Sequence, residues 1–194
     1  MSGTRWLSDA EQRVWRDFLT AVDLLTAHLE GQLQRDAGMP FTYYEVLVAL
    51  SEAEDHVLRM SELAEVTRSS RSRLSHAVTR MEAHGWVRRQ ACPTDRRGAF
   101  AHLTADGLAA IESAAPGHAQ AVREGLFDVL SPEQVRQLGE ISAAVRDRLL
   151  PECARAEAEA DAAGDDGADR CHPVVEDRVD GNRAVVARDG DPAG

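Results

Sequence analysis

The sequence predicts a mainly α-helical protein that carries one small β-hairpin. Three observations lead there. Large apolar residues recur at intervals of three and four through most of the chain, the spacing of one helical face. One stretch near the middle reads as two short strands around a Pro/Asp/Gly turn. Between Thr67 and Arg80, the stretch TRSSRSRLSHAVTR holds four arginines and no acid, although the chain of 194 residues has a formal net charge of -11. With 43% hydrophobic residues, this length supports one substantial core with appendages.

The elements follow in order. From Ser8 to Gln34, Trp15, Phe18, Val22, Leu25 and Leu29 mark one helical face, with Ser8 as N-cap and Glu11 completing a capping box. DAGMP breaks that pattern. A second helix is expected over Thr42 to Glu52, with Tyr44, Val46, Leu47 and Leu50 apolar. A short third follows Ser61 through Leu63, Ala64 and Val66. The fourth starts at Ser69 or Ser70 and runs to about His84, where Gly85 is placed to end it.

On that fourth helix Leu74, Val78 and Met81 form the stripe expected to be buried, while Ser72, Arg73, His76 and Arg80 form the opposite one. A solvated face is the ordinary reading of a charged stripe. Solvated faces normally mix signs and gain from opposite-charge pairs, however, and this one carries no acid. The wider charge distribution agrees. Val57 to Phe100 has nine arginines against Glu62, Glu65, Glu82 and Asp95, net +5, whereas Glu152 to Gly194 carries net -7.

After Gly85, WVRRQACPTDRRGAFAHLT reads as a strand, a turn at PTDRRG and a second strand ending at Thr104. Asp95 and Gly98 suit a turn that presents Arg96 and Arg97. Two short helices joined by TRSS and followed by an arginine-tipped hairpin outline a winged helix-turn-helix. Its second helix fits a major groove, and the hairpin arginines reach phosphates or a narrow minor groove. A carboxylate on such a face would sit against DNA phosphate, which accounts for the acid-free stretch.

Met60 to Gly107 resembles the MarR family of bacterial transcriptional regulators. Asp95, Arg97, Leu103 and Thr104 match that family's wing pattern D-x-R-x5-L-T. The resemblance extends more weakly from about Leu7 to Leu150. It implies that Ser70, Arg71, Ser72, Arg73 and His76 meet bases and phosphates, with Arg80 on the same outward stripe. It further implies that Arg96 enters the minor groove and that Asp95 pairs with Arg97 to stiffen the wing.

Beyond the wing, Thr104 is expected to cap a long helix from Ala105 to about Leu130, bent near Ala115 by Pro116. Ser131, Pro132 and Gln134 begin a last helix whose apolar stripe is Val135, Leu138, Ile141, Val145 and Leu149. That stripe fits either an intrachain core or an interface. The resemblance implies the latter, with both terminal helices interleaved about a twofold axis. The expected organisation is thus a dimerisation helix over 1–40, the winged helix-turn-helix DNA-binding domain over 41–104 and C-terminal dimerisation helices over 105–155. A disordered acidic tail is expected over 156–194.

The function these readings predict is a repressor binding a pseudopalindromic operator as a homodimer. The resemblance adds release by a small aromatic or phenolic ligand, with Trp15, His28, Tyr43, Tyr44 and His118 as candidate lining residues. The alternative is a protein-interaction module whose basic face binds an acidic partner or the chain's own tail. No nucleotide-binding, hydrolase or metalloprotease motif occurs, so no enzyme is expected. No cofactor or metal is expected either; the adjacent Cys171 and His172 make only two ligands. Three widely spaced cysteines, Cys92, Cys153 and Cys171, resemble no disulfide framework and are expected to be reduced, with Cys92 on the first wing strand either a small half-buried apolar residue or a modifiable thiol. No apolar run approaches the roughly 20 residues of a membrane span, and the first residues lack the apolar core of a leader, so a cytoplasmic protein is expected.

Overall fold

A computed structural model describes residues 4–92 and 98–162, apart from the side chains of 151–162. Six helices and three short strands make up this part of the chain. Helix α1 spans Asp9–Ala37, and its expected capping box forms, with Ser8 Oγ accepting from Glu11 N–H and Glu11 Oε2 accepting from Ser8 N–H. Gly38 ends it in the left-handed conformation at φ 59°. Helix α2 (Phe41–Glu52) follows, then a single 3-10 turn at Glu54–His56.

A strand the sequence reading did not anticipate comes next: β1, Val57–Arg59. Its three residues are too few to show a period, and their pairing partner lies far along the chain. Helices α3 (Met60–Val66) and α4 (Arg71–Ala83) form the helix-turn-helix. The wing strands are β2 (Val87–Ala91) and β3 (Ala99–Leu103), and the sheet runs antiparallel in the order β1-β3-β2. Val57 and Arg88 both lie opposite His102.

Two glycines are required by the geometry of the corner that joins α4 to the wing. Gly85 takes φ 74°, which lets the chain leave α4 toward β2. Gly107 packs so closely that a Cβ would lie 2.1 Å from the Trp86 carbonyl oxygen. The Thr104 hydroxyl stitches the same corner, donating to Gly85 O at 2.5 Å and accepting from Gly107 N–H at 3.0 Å.

Helix α5 (Ala105–Val122) passes through Pro116 without ending and continues as a π-helical turn at Arg123–Phe127. Helix α6 (Pro132–Ala162) begins at the expected Ser131–Gln134 capping box and extends past the anticipated boundary near Ala156. The core lies where α2, α3 and α4 meet the sheet, with Leu47, Leu50, Leu63, Leu74 and Met81 fully buried. Leu33 of α1 and Ile111 of α5 close it from the other side.

The rest of α1 and α6 behaves differently. Trp15, Phe18 and Val22 on α1, and Ile141, Val145 and Leu149 on α6, remain substantially exposed. These are the stripes that sequence periodicity marks for burial, and among the described residues nothing covers them.

Cys92 is buried and disulfide-bonded, which corrects the expectation of reduced thiols. Spacing along a chain does not report approach in space. The side chains of Cys153 and Cys171 lie outside the described residues. Among the described residues, no helix is long and apolar enough to cross a membrane.

Candidate nucleic-acid interface

The site is built on α4. Its turn from α3 is short and closed by backbone bonds, Thr67 N–H to Leu63 O at 3.0 Å and Ser69 N–H to Ala64 O at 2.9 Å. Arg68 takes φ 49° within it. Ser70 then caps α4, its hydroxyl accepting from Arg73 N–H at 3.3 Å. The cap is neutral and the first turn carries no acid, so the positive end of the helix dipole is left for an outside anion.

Leu74, Ala77, Val78 and Met81 anchor α4 in the core. Ser70, Arg71, Ser72, Arg73, His76 and Arg80 all lie exposed on the other side. The two expected stripes are therefore the two faces of the helix. The exposed one presents hydroxyl, imidazole and guanidinium donors side by side.

A contact that sequence reasoning did not identify fixes the wing to this helix. Arg89 of β2 donates from Nε to Glu82 Oε2 at 2.7 Å, from its backbone N–H to Glu82 Oε1 at 2.9 Å and from Nη2 to Thr79 Oγ1 at 2.9 Å. Partial burial pushes the Glu82 carboxyl up, but hydrogen bonds and charge from Arg89 outweigh it and hold the group below its usual value. Glu82, the lone acid on α4, was the available signal: it faces the strand rather than the outward stripe.

Closing toward the wing tip, Cys92 N–H donates to Gly98 O at 2.9 Å. Asp95, Arg96 and Arg97 lie outside the described residues. Across the β1–β3 pair, the Arg59 guanidinium stands 5.6 Å from the centre of the buried Phe100 ring. Burial, with the charge of Arg88, lowers the pKa of His102.

The five candidate ligand-lining residues are not gathered in one place. Tyr44 and His118 meet, with ring centres 4.3 Å apart, and Phe41 flanks His118 at 5.9 Å. They line a cavity of about 250 Å³ between α2, the end of α3 and α5, together with Glu45, Val48, Glu52 and Thr67. Burial lowers the pKa of His118. Trp15 instead lies on the exposed stripe of α1 beside Phe18, His28 packs near Gly125, and Tyr43 rests on the edge of the core. Among the described residues, no group of three or more histidine, cysteine or carboxylate side chains is placed to hold a metal ion.

A helix-turn-helix with an exposed basic face, backed by a three-stranded sheet and flanked by long helices, defines a winged-helix transcriptional regulator. Residues 37–98 match the MarR family. The chain superposes with a TM-score of 0.72 on Sco3205, a MarR family transcriptional regulator from Streptomyces coelicolor solved in complex with DNA. The two are 53% identical, over 75% of this chain and 92% of that one. For AbsC, a MarR family regulator from the same organism, the TM-score is 0.71 and the identity 45%, over 76% of this chain and 99% of that one. The HTH-type transcriptional repressor YetL of Bacillus subtilis is 29% identical over 107 residues, which is 54% of this chain and 64% of that protein. The chain belongs to the MarR family of transcriptional regulators.

Proposed function

We propose that this protein is a repressor that binds a pseudopalindromic operator as a homodimer and is released by a small molecule. The observation that carries the reading is the exposed, acid-free face of α4, on which Ser70, Arg71, Ser72, Arg73, His76 and Arg80 stand together above a fully packed inner face. In this reading Arg73 and His76 contact base edges in the major groove, and the other four hold phosphates. Arg96 reaches the minor groove from the wing tip, and Asp95 and Arg97 pair to stiffen it. The DNA complex of Sco3205 and the repressor role of YetL support the same assignment.

The homodimer rests on the uncovered stripes of α1 and α6. Apolar residues exposed in rows on two helices are an interface in waiting, and a twofold axis would cover both stripes while presenting two α4 helices to one face of DNA. The cavity lined by Tyr44 and His118 is the proposed effector site, next to the turn that sets α4. Such a protein works in the cytoplasm, beside the chromosome.

The test is direct. Titrating the protein into duplexes from the DNA flanking its own gene should reveal one site bound far more tightly than random duplex. Binding should be steeply salt-dependent, with a sedimentation mass of two chains per site. Equal affinity for every duplex, or a single chain per site, would reject the reading.

A further inference from the structure

The effector cavity has a charge character of its own. Phe41, Glu45, Val48 and Glu52 follow one face of α2 at helical spacing, and Tyr44 adds its ring beside them. The lining therefore combines aromatic and aliphatic surface with two carboxylates. Neither carboxylate has a hydrogen bond or ion pair among the described contacts, and no cationic side chain is among the lining residues. Arg68 acts on Glu45 only from the exposed turn outside the lining, while burial pushes the Glu45 carboxyl up.

Glu52 is exposed, but Glu45 is half-buried with only the charge of the exposed Arg68 to offset its lost water, so a bound cation that pairs with Glu45 recovers part of that loss. An anionic aromatic compound would meet repulsion instead. His118 is the one lining residue that can become cationic, and burial favours its neutral form. Aromatic rings at one end and acids beside them are the surroundings that hold a cation against a π face. Glu45 and Glu52 are seven residues apart, about 10 Å along the helix axis, too far to converge on one small metal ion. The volume is below the roughly 300–1,000 Å³ of drug-sized sites, which restricts the occupant to one or two rings.

We propose that this cavity binds a small planar organic cation, its positive group at Glu45 and its apolar body between Tyr44, Phe41 and Val48. The proposal deepens the reading of the cavity as effector site and rests on it. It also replaces a phenolic occupant by a cationic one. Thr67 lines the cavity and directly precedes the Arg68–Ser70 turn into α4. A cation at Glu45 would also repel Arg68 in that turn, which connects occupancy to the placement of the recognition helix.

The experiment uses the full-length protein and three ring compounds of matched size: benzamidine, benzamide and benzoate. Calorimetry measures binding to the free protein, and fluorescence anisotropy follows release of a labelled operator duplex. The expected result is binding of benzamidine at least tenfold tighter than benzamide or benzoate. Glu45→Gln should weaken benzamidine at least tenfold, and Glu52→Gln should weaken it less. Thermal unfolding of each variant checks that it folds, and Glu52→Gln carries the test if Glu45→Gln does not. Benzoate or benzamide binding as tightly as benzamidine, or benzamidine binding unchanged in the glutamine variants, overturns the cationic assignment while leaving an effector site in place. Glutamate-dependent benzamidine binding without operator release overturns the effector reading and leaves the cation site. No binding by any of the three overturns both.

Discussion

Arg73 and His76 stand one turn apart on the exposed face of α4, and the proposal makes them the residues that distinguish one sequence from another. Replacing either with Ala should cost about 1–3 kcal/mol on the operator and much less on random duplex, measured by competition anisotropy. Equal losses on both DNAs would reassign them to phosphate. Glu82 acts through its neighbours. It receives the Arg89 side chain and backbone, and Arg89 also reaches Thr79, so three hydrogen bonds tie β2 to α4. The pair is partly solvated, so Glu82→Gln should cost at most about 1 kcal/mol of stability. Operator binding should weaken while the salt slope stays unchanged, because no phosphate contact is lost. A changed slope would mean that Arg89 itself meets DNA.

At the scale of elements, the wing is anchored at one corner. Thr104 caps α5, bonds the Gly85 carbonyl and follows the buried Leu103, so the L-T pair joins the end of the wing to both α4 and α5. Arg96→Ala is expected to weaken binding to all duplexes alike and to reduce the magnitude of the salt slope by about 0.9, the value for one phosphate contact on B-DNA. An unchanged affinity and slope would remove Arg96 from the interface. The capping boxes at Ser8 and Ser131 and the buried stripe of α4 could all be read in advance, since each depends on residues within a few positions of one another. Strand β1 could not. Val57 pairs opposite His102, and nothing near Val57 in the chain announces that partner.

The whole molecule adds two expectations. Phe18 of α1 and Ile141 of α6 are exposed in a single chain. Phe18→Asp or Ile141→Asp should therefore yield folded monomers with weak operator binding, read by sedimentation and circular dichroism. Retention of the dimer in both would place the interface elsewhere. Stability should also fall on acidification below neutrality. Burial lowers the folded-state pKa of His118, and burial with Arg88 lowers that of His102. The unfolded chain therefore binds more protons than the folded one, and the stability present above the ordinary imidazole value of 6.5 is lost as pH falls below it. Unfolding midpoints between pH 7.5 and 5.5 should show the decline, and His118→Phe should make it shallower. A slope that survives unchanged would show that His118 is protonated equally in both states.

Helical periodicity, caps and the sign of charge along α4 determined the two faces of that helix and the apolar stripes of α1 and α6, while the family was legible in the resemblance of Met60 to Gly107 and its wing pattern. Each is a local property, carried by residues three or four apart. Only the tertiary structure decided that Glu82 faces Arg89 and that Tyr44 and His118 share a cavity with Glu45 while Trp15, His28 and Tyr43 stand elsewhere. Those contacts join side chains on different elements. Their existence depends on how helices and strands pack, which no spacing within a single element encodes.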